Sequence, residues 1–198
     1  MVTQQRRMHE SHAYILAVIP PKMYLRERRP RGTTTAQAIG ESYFTLLELV
    51  PRRGMTLRPQ ERVSLERNSR SKIERVSRRL RYEDLAPEST AELPLVVEII
   101  VTKHENRFVQ FFNEAPPITT RLHSLQLLPG IGQTLMWDIL EERKKEPFKN
   151  FEDIAQRTKL QNPRKVVTAR IIQELQGDVK RWLFVRPPPQ EDEKVRSR

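Results

Sequence analysis

Residues 127 to 134, Leu-Leu-Pro-Gly-Ile-Gly-Gln-Thr, set two glycines one residue apart immediately before a stretch of helical periodicity. This spacing suits capture of a phosphate by backbone amides. Gly130 and Gly132 have no Cβ to block an approaching oxygen, and both tolerate positive φ. The N–H groups of Gly132, Gln133 and Thr134 fall at a helix N-terminus, where they lack intrahelical acceptors and the helix dipole favours an anion. Ile131, between the glycines, is expected to plug the seam between two helices and fix the turn. Such a contact is made to the backbone and reads no sequence. A lone Gly-x-Gly is as easily a tight connector; the apolar pair before it, the helix after it and the basic chain around it favour phosphate.

The 198 residues carry a formal charge of +11, with an isoelectric point near 10.3. A polyanionic partner follows, because neutralising phosphates releases counterions and gives affinity without a sequence code. Arginine supplies 26 of the 36 basic residues, which favours forked contacts to phosphate and stacking on bases. Charge is densest between residues 52 and 81, where Arg52, Arg53, Arg58, Arg62, Arg67, Arg70, Lys72, Arg75, Arg78, Arg79 and Arg81 face only Glu61, Glu66 and Glu74. Residues 82 to 115 reverse the balance, with seven acidic and two basic side chains. Nucleic acid is therefore expected on the first of these stretches. Tyr24, Tyr43 and Tyr82, placed among the arginines, are candidates for base stacking and equally for core.

Other chemistry finds little support. The chain has no cysteine, so neither a disulfide framework, a thiolate site nor a Cys nucleophile is expected. Its four histidines lack partners at ligand spacing, so no metal and no cofactor are expected. No acid/base pair or nucleophile is recognisable, and the expectation is a protein without enzymatic activity. Arg6-Arg7 ahead of Ala13 to Ile19 faintly resembles a signal peptide, but seven apolar residues stopped by Pro20-Pro21 fall far below the roughly 20 that span a bilayer. The reading is a soluble, cytoplasmic protein with no membrane partner.

Two groups of elements must position these residues. Tyr14 to Ile19 is apolar at both parities and reads as a strand buried on both sides. Lys22 to Arg31 is a basic arm; Ala36 to Val50 reads as one long strand bent at Gly40, and Arg62 to Glu66 as a half-buried strand. Residues 70 to 83 are read as a helical turn followed by a strand from about 76. Leu93, Val96, Val97, Ile100 and Val101 recur at helical spacing, and Pro94, tolerable only in a first turn, sets the start near Thr90. Phe108, Phe111 and Phe112 continue that stripe as core after a break near Asn106. Pro116-Pro117 is read as a domain boundary.

Beyond it, Thr119 or Thr120 caps a helix bearing Leu122, Leu125 and Leu128, and the glycine turn leads to a second helix over 133 to 144. Asn150 caps a third helix; Asn162-Pro163 starts a fourth that Gly177 stops. Trp182 to Val185 is too apolar for water and must dock on a domain, ahead of an extended Pro-rich tail.

Leu128-Pro129-Gly130-Ile131-Gly132, followed by Ile139-Leu140-x-x-Arg143 and Phe148-x-x-Phe151-x-x-Ile154, resembles the helix-hairpin-helix repeat of DNA uptake and repair proteins. Gln133 and Thr134 stand where that motif often has lysine, and Lys159-Leu160-Gln161-Asn162-Pro163 replaces a second glycine turn. Over most of its length the chain also resembles an archaeal family of uncharacterised proteins thought to bind RNA, through Leu16-Ala17-Val18, Arg81-Tyr82-Glu83-Asp84-Leu85 and Arg107-Phe108-Val109-Gln110-Phe111-Phe112-Asn113.

The resemblance implies an α+β fold: a small OB-like β-barrel with appended helices, followed by an all-α helix-hairpin-helix domain. The expected division is a disordered 1–11, a basic OB-like domain over 12–115 with an acidic helical segment at 90–114, a helix-hairpin-helix domain over 118–178, and a docking segment and tail over 179–198. The expected function is nucleic-acid binding, RNA favoured over DNA, with a ribosomal or RNA-modifying protein as a further partner. The alternatives are a DNA-binding or base-excision repair enzyme, for which Asp153 lies 20 residues after Gln133, and a protein-interaction adaptor in RNA processing or ribosome assembly. Sequence does not set the oligomeric state.

Overall fold

The computed structural model of the protein describes residues 9–23, 30–31, 33–66 and 68–187. It is a mixed α/β structure of two compact units, residues 1–92 with 174–198 and residues 93–173. The divisions fall inside helices, between Glu92 and Leu93 and between Gln173 and Glu174, and not at Pro116-Pro117.

The first unit is built on a curled antiparallel sheet. Its strands are β1 (His12–Ile19), β4 (Thr35–Gly40), β5 (Leu46–Pro51), β6 (Arg62–Ser64) and β7 (Ile73–Arg79), in the order β6-β1-β4-β5-β7. The basic arm contributes a separate pair, β2 (Lys22–Met23) with β3 (Pro30–Arg31); Tyr24 and residues 25–29 lie outside the described residues. Small and branched side chains, among them Ala13, Ile15, Ala36, Ala38, Leu49, Val63 and Ile73, form one buried cluster. The other parity of β1 is buried too, with Tyr14 5% and Leu16 1% exposed, as its unbroken apolar run suggested.

Curvature comes from register shifts. Ile15 and Ala17 oppose the adjacent Ala38 and Gln37, leaving Leu16 as an extra residue, and β7 shifts twice against β5. Each bulge adds twist and bend.

Residues 36 to 50 are not one bent strand. Gly40 ends β4, and residues 41–45 turn the chain back into β5. No Asn-Gly or Asp-Gly marked a hairpin because this turn is held from outside. The Glu10 carboxylate accepts the N–H groups of Ser42 at 2.9 Å, Tyr43 at 3.0 Å and Thr45 at 3.2 Å. It lies where a Cβ at position 40 would be, so the glycine there is steric. Phe44, at φ 53°, is fully buried at the turn.

Residues 70 to 76 form no helical turn: β7 begins at Ile73, and Tyr82 lies in a short 3-10 turn over Tyr82–Asp84. The edge-strand pattern misled because residues 74 to 78 are exposed on both faces. At the end of the chain Glu174, fully buried, accepts the N–H groups of Leu183, Phe184 and Val185 at 2.8 to 2.9 Å. The Arg186 amide donates to the Tyr43 carbonyl at 3.0 Å, so the Trp182–Val185 segment docks on the first unit.

In the second unit, α1 (Pro87–Lys103) starts three residues earlier than expected and carries Pro94 in its interior; Pro87 itself takes the first helical position, where a missing N–H costs nothing. The break comes at His104, before α2 (Glu105–Glu114). Phe108 and Phe112 are fully buried core. The two amide groups of Asn113 and Phe148 bond reciprocally at 2.8 and 2.9 Å, and Glu105 accepts the Phe151 N–H at 2.6 Å. Those bonds join α2 to the elements after Pro116-Pro117.

The expected helix over 119–128 is absent. In its place β8 (Pro117–Thr119) pairs with β9 (Leu122–His123), and a 3-10 turn spans Ser124–Leu127. Its leucine spacing carried the right burial, with Leu125 0% and Leu128 1% exposed, in a tighter coil. Three helices follow: α3 (Gln133–Lys145), α4 (Phe151–Arg157) and α5 (Pro163–Gln176). Asn150 caps α4 through the Asp153 N–H at 2.8 Å, as its identity indicated.

Replacement of Glu10 by Ala is expected to cost about 1–3 kcal/mol, the penalty for unpaired amides. Gly40→Ala should destabilise the wild type but add little to Glu10→Ala, and urea unfolding of the two single variants and the double would reveal that coupling. Independent costs would refute the steric account. A second expectation concerns Asp153, whose carboxyl is held below the usual range first by the Lys149 N–H and then by Arg157. A depressed folded pKa stabilises above the unfolded value, about 3.9, and the gain is lost as pH falls through the folded one. The stability gap between wild type and Asp153→Asn should therefore be full near pH 6 and close below about pH 4.

Candidate nucleic-acid interface

In the helical unit the predicted turn is formed. The Ile131 N–H bonds to the Leu128 carbonyl at 3.2 Å, with Pro129 and Gly130 at its corners and Gly130 at φ 79°. Proline followed by a positive-φ glycine is the signature of a type II turn. Ile131 is 4% exposed and anchors the turn in the core.

Gly132 precedes α3 with extended backbone, φ −81° and ψ −177°. Its carbonyl accepts the Met136 N–H at 2.9 Å, leaving the amides of Gln133, Thr134 and Leu135 without intrahelical acceptors. Gly130, Gly132, Gln133 and Thr134 are exposed. A Cβ at Gly132 would meet nothing within 4 Å, so this glycine is required neither by its own φ nor by a neighbour in the fold.

Two residues around the turn had no sequence signal. Arg170 of α5, 6% exposed, donates from Nη1 to the Leu127 carbonyl at 3.0 Å and ties down the chain entering the turn. Trp137 lies one helical turn after Gln133, on the same face of α3, and is 52% exposed. It lines a groove with Arg121, His123, Gln126 and Gln133. The i, i+4 relation of Gln133 and Trp137 was in the sequence, but a tryptophan among Met136, Ile139 and Leu140 passes for core.

Arg143 and Arg157 hold helix ends. Arg143 Nη1 donates to the carbonyls of Phe112 at 3.0 Å and Ala115 at 3.1 Å, and burial lowers its pKa. Arg157 Nη2 donates to the carbonyls of Glu142 at 2.6 Å and Glu146 at 2.8 Å, and its guanidinium stacks over Phe148. Asp153 bonds to the Lys149 amide and Arg157, the work of a carboxylate in a helix's first turn.

In the first unit, much of the arginine-rich stretch is engaged within the fold. Arg62 forks onto the buried Glu41 at 2.8 to 3.1 Å, and that bond raises its pKa. Lys72 pairs with Glu61, Arg78 with Glu48 at 3.5 Å and Asp84 at 3.6 Å, and Arg81 with Glu83 at 3.5 Å. Arg52 and Arg70 bond to backbone carbonyls, and Arg79 reaches those of Arg186 and Pro187. Arg53, Arg58 and Arg75 are left exposed, and no side-chain hydrogen bond or ion pair holds them among the described residues. Arg67 lies outside the described residues.

Among the described residues no cluster of His, Asp and Glu could hold a metal ion, and no helix is long and apolar enough to cross a membrane.

Residues 9–186 match the family described as a protein of unknown function, DUF655. The uncharacterized protein MJ0038 of Methanocaldococcus jannaschii is 40% identical over 179 residues, 89% of this chain and 80% of that protein. The crystal structure of Af1531 from Archaeoglobus fulgidus, described under the same family, is similar with a TM-score of 0.81 and 45% identity, covering 89% of this chain and 100% of that one. By sequence and by fold, the chain belongs to the DUF655 family.

Proposed function

We propose that this protein binds RNA without catalysing a reaction, using the Gly130–Gly132 turn as a sequence-blind phosphate grip and Trp137 as a stacking platform beside it. The observation that carries this reading is the exposed indole one turn from the unpaired amides of Gln133 and Thr134. A nucleotide whose phosphate caps α3 would have its base within reach of Trp137, with Arg121 in the same groove. We read the turn and α3 as a helix-hairpin-helix element with its first helix shortened to the 3-10 turn Ser124–Leu127. The curled five-strand sheet supports an OB-like reading of the first unit, and the exposed Arg53, Arg58 and Arg75 add long-range attraction to it.

Binding to single-stranded RNA, duplex RNA and duplex DNA, titrated with salt, tests the reading. The expected result is strongest binding to single-stranded RNA, its logarithm falling by about 0.7 per phosphate neutralised for each decade of salt. Preference for duplex DNA would reassign the partner, and absence of salt-dependent binding to all three would end the proposal. Trp137→Ala should weaken single-stranded RNA binding by about 5- to 100-fold, the loss of one stacked base. Gly132→Ala should keep the fold, because space is open there, yet weaken binding several-fold on every sequence.

A further inference from the structure

A second cleft lies wholly within the first unit. It forms where the end of β7 meets the returning C-terminal segment, and its walls include Arg79, Arg81, Tyr82, Trp182 and Arg186. Two acidic residues also line it, and both are engaged: Glu83 pairs with Arg81, and the Glu174 carboxylate takes three backbone amides.

Arg79 is poorly satisfied. Its Nε is buried without a hydrogen-bond partner, and its Nη2 meets the Arg186 and Pro187 carbonyls only at 3.5 and 3.4 Å, beyond the usual N–H···O range. Burial, and then the charge of Arg186, lower its pKa, with Glu10 opposing them. Two guanidinium groups set together in a partly desolvated cleft repel each other, and an anion between them removes that cost. Trp182, half-buried in the same wall, offers a flat apolar face. Cations beside an indole suit a ligand with a phosphate and a base.

We propose that this cleft binds one nucleotide of a single-stranded RNA, its phosphate between Arg79 and Arg186 and its base against Trp182. The assignment rests on the RNA-binding reading and gives that function a second contact, independent of the hairpin. Arg186 is held in place by its main-chain N–H to Tyr43, so a change in its side chain leaves this anchor intact.

The test uses the full chain carrying Trp137→Phe, which leaves Trp182 as the sole tryptophan of two. Adenosine 5′-monophosphate is the probe, with inorganic phosphate as competitor. Saturable quenching of Trp182 emission is expected, with phosphate displacing the nucleotide. Arg79→Gln with Arg186→Gln should raise the Kd about tenfold or more, and Arg186→Gln alone several-fold. No saturable signal, or an unchanged Kd in both variants, would overturn the cleft; quenching by phosphate equal to that by the nucleotide would overturn the role of Trp182. Oligonucleotide binding that persists without nucleotide binding would defeat the cleft and spare the hairpin. Nucleotide binding lost in the arginine variants, with oligonucleotide affinity indifferent to Gly132→Ala, would defeat the hairpin and spare the cleft.

Discussion

The first unit depends on carboxylates that collect backbone amides. Glu10 takes three N–H groups from the β4–β5 turn, and Glu174 takes three from the segment after Trp182. In each case one ionised side chain satisfies donors that would otherwise be buried or unpaired, and charge-assisted bonds of this kind are among the stronger ones available. The two clusters meet where the Arg186 N–H reaches the Tyr43 carbonyl. Through that contact the turn and the C-terminal segment fix each other, and the cleft containing Trp182 exists only because both are held.

The same pairing explains what could be read from the residues. The buried strand over 14–19, the caps at Asn150 and Pro163, the stop at Gly177 and the plug at Ile131 follow from local chemistry, and each stands where its neighbours in sequence indicated. The β4–β5 turn does not, since its stabilising group lies some 30 residues upstream of it and Gly40 looked like a bend. The Leu122, Leu125 and Leu128 spacing marked a buried face correctly, while a 3-10 coil, with period close to three, satisfies it as well as an α-helix does. Interior Pro94 defied the expectation because α1 continues past it.

Charge proved the least legible property. Eleven basic residues between 52 and 81 suggested a broad binding face, yet Arg62, Lys72, Arg78 and Arg81 meet carboxylates, three of them from outside the stretch's own acidic set. Pairing partners distant in sequence cannot be counted in a local balance. Arg143, Arg157 and Arg170 likewise spend donors on backbone carbonyls, which suits a planar fork better than an ammonium. The arginine bias thus serves the fold as well as a polyanion.

One consequence concerns the order in which the chain is made. The second unit, residues 93–173, is inserted within the first, whose last piece begins at Glu174. A ribosome that has released β7 must still add that insertion before the Glu174 clamp can form. At about 5–20 residues per second this is a wait of roughly 4–16 s. During that interval β7 is an edge strand without its closing segment, and the helical unit, complete in itself along the chain, can fold first. The cleft is therefore the last part of the molecule to be assembled, so any RNA bound there is met only by finished protein.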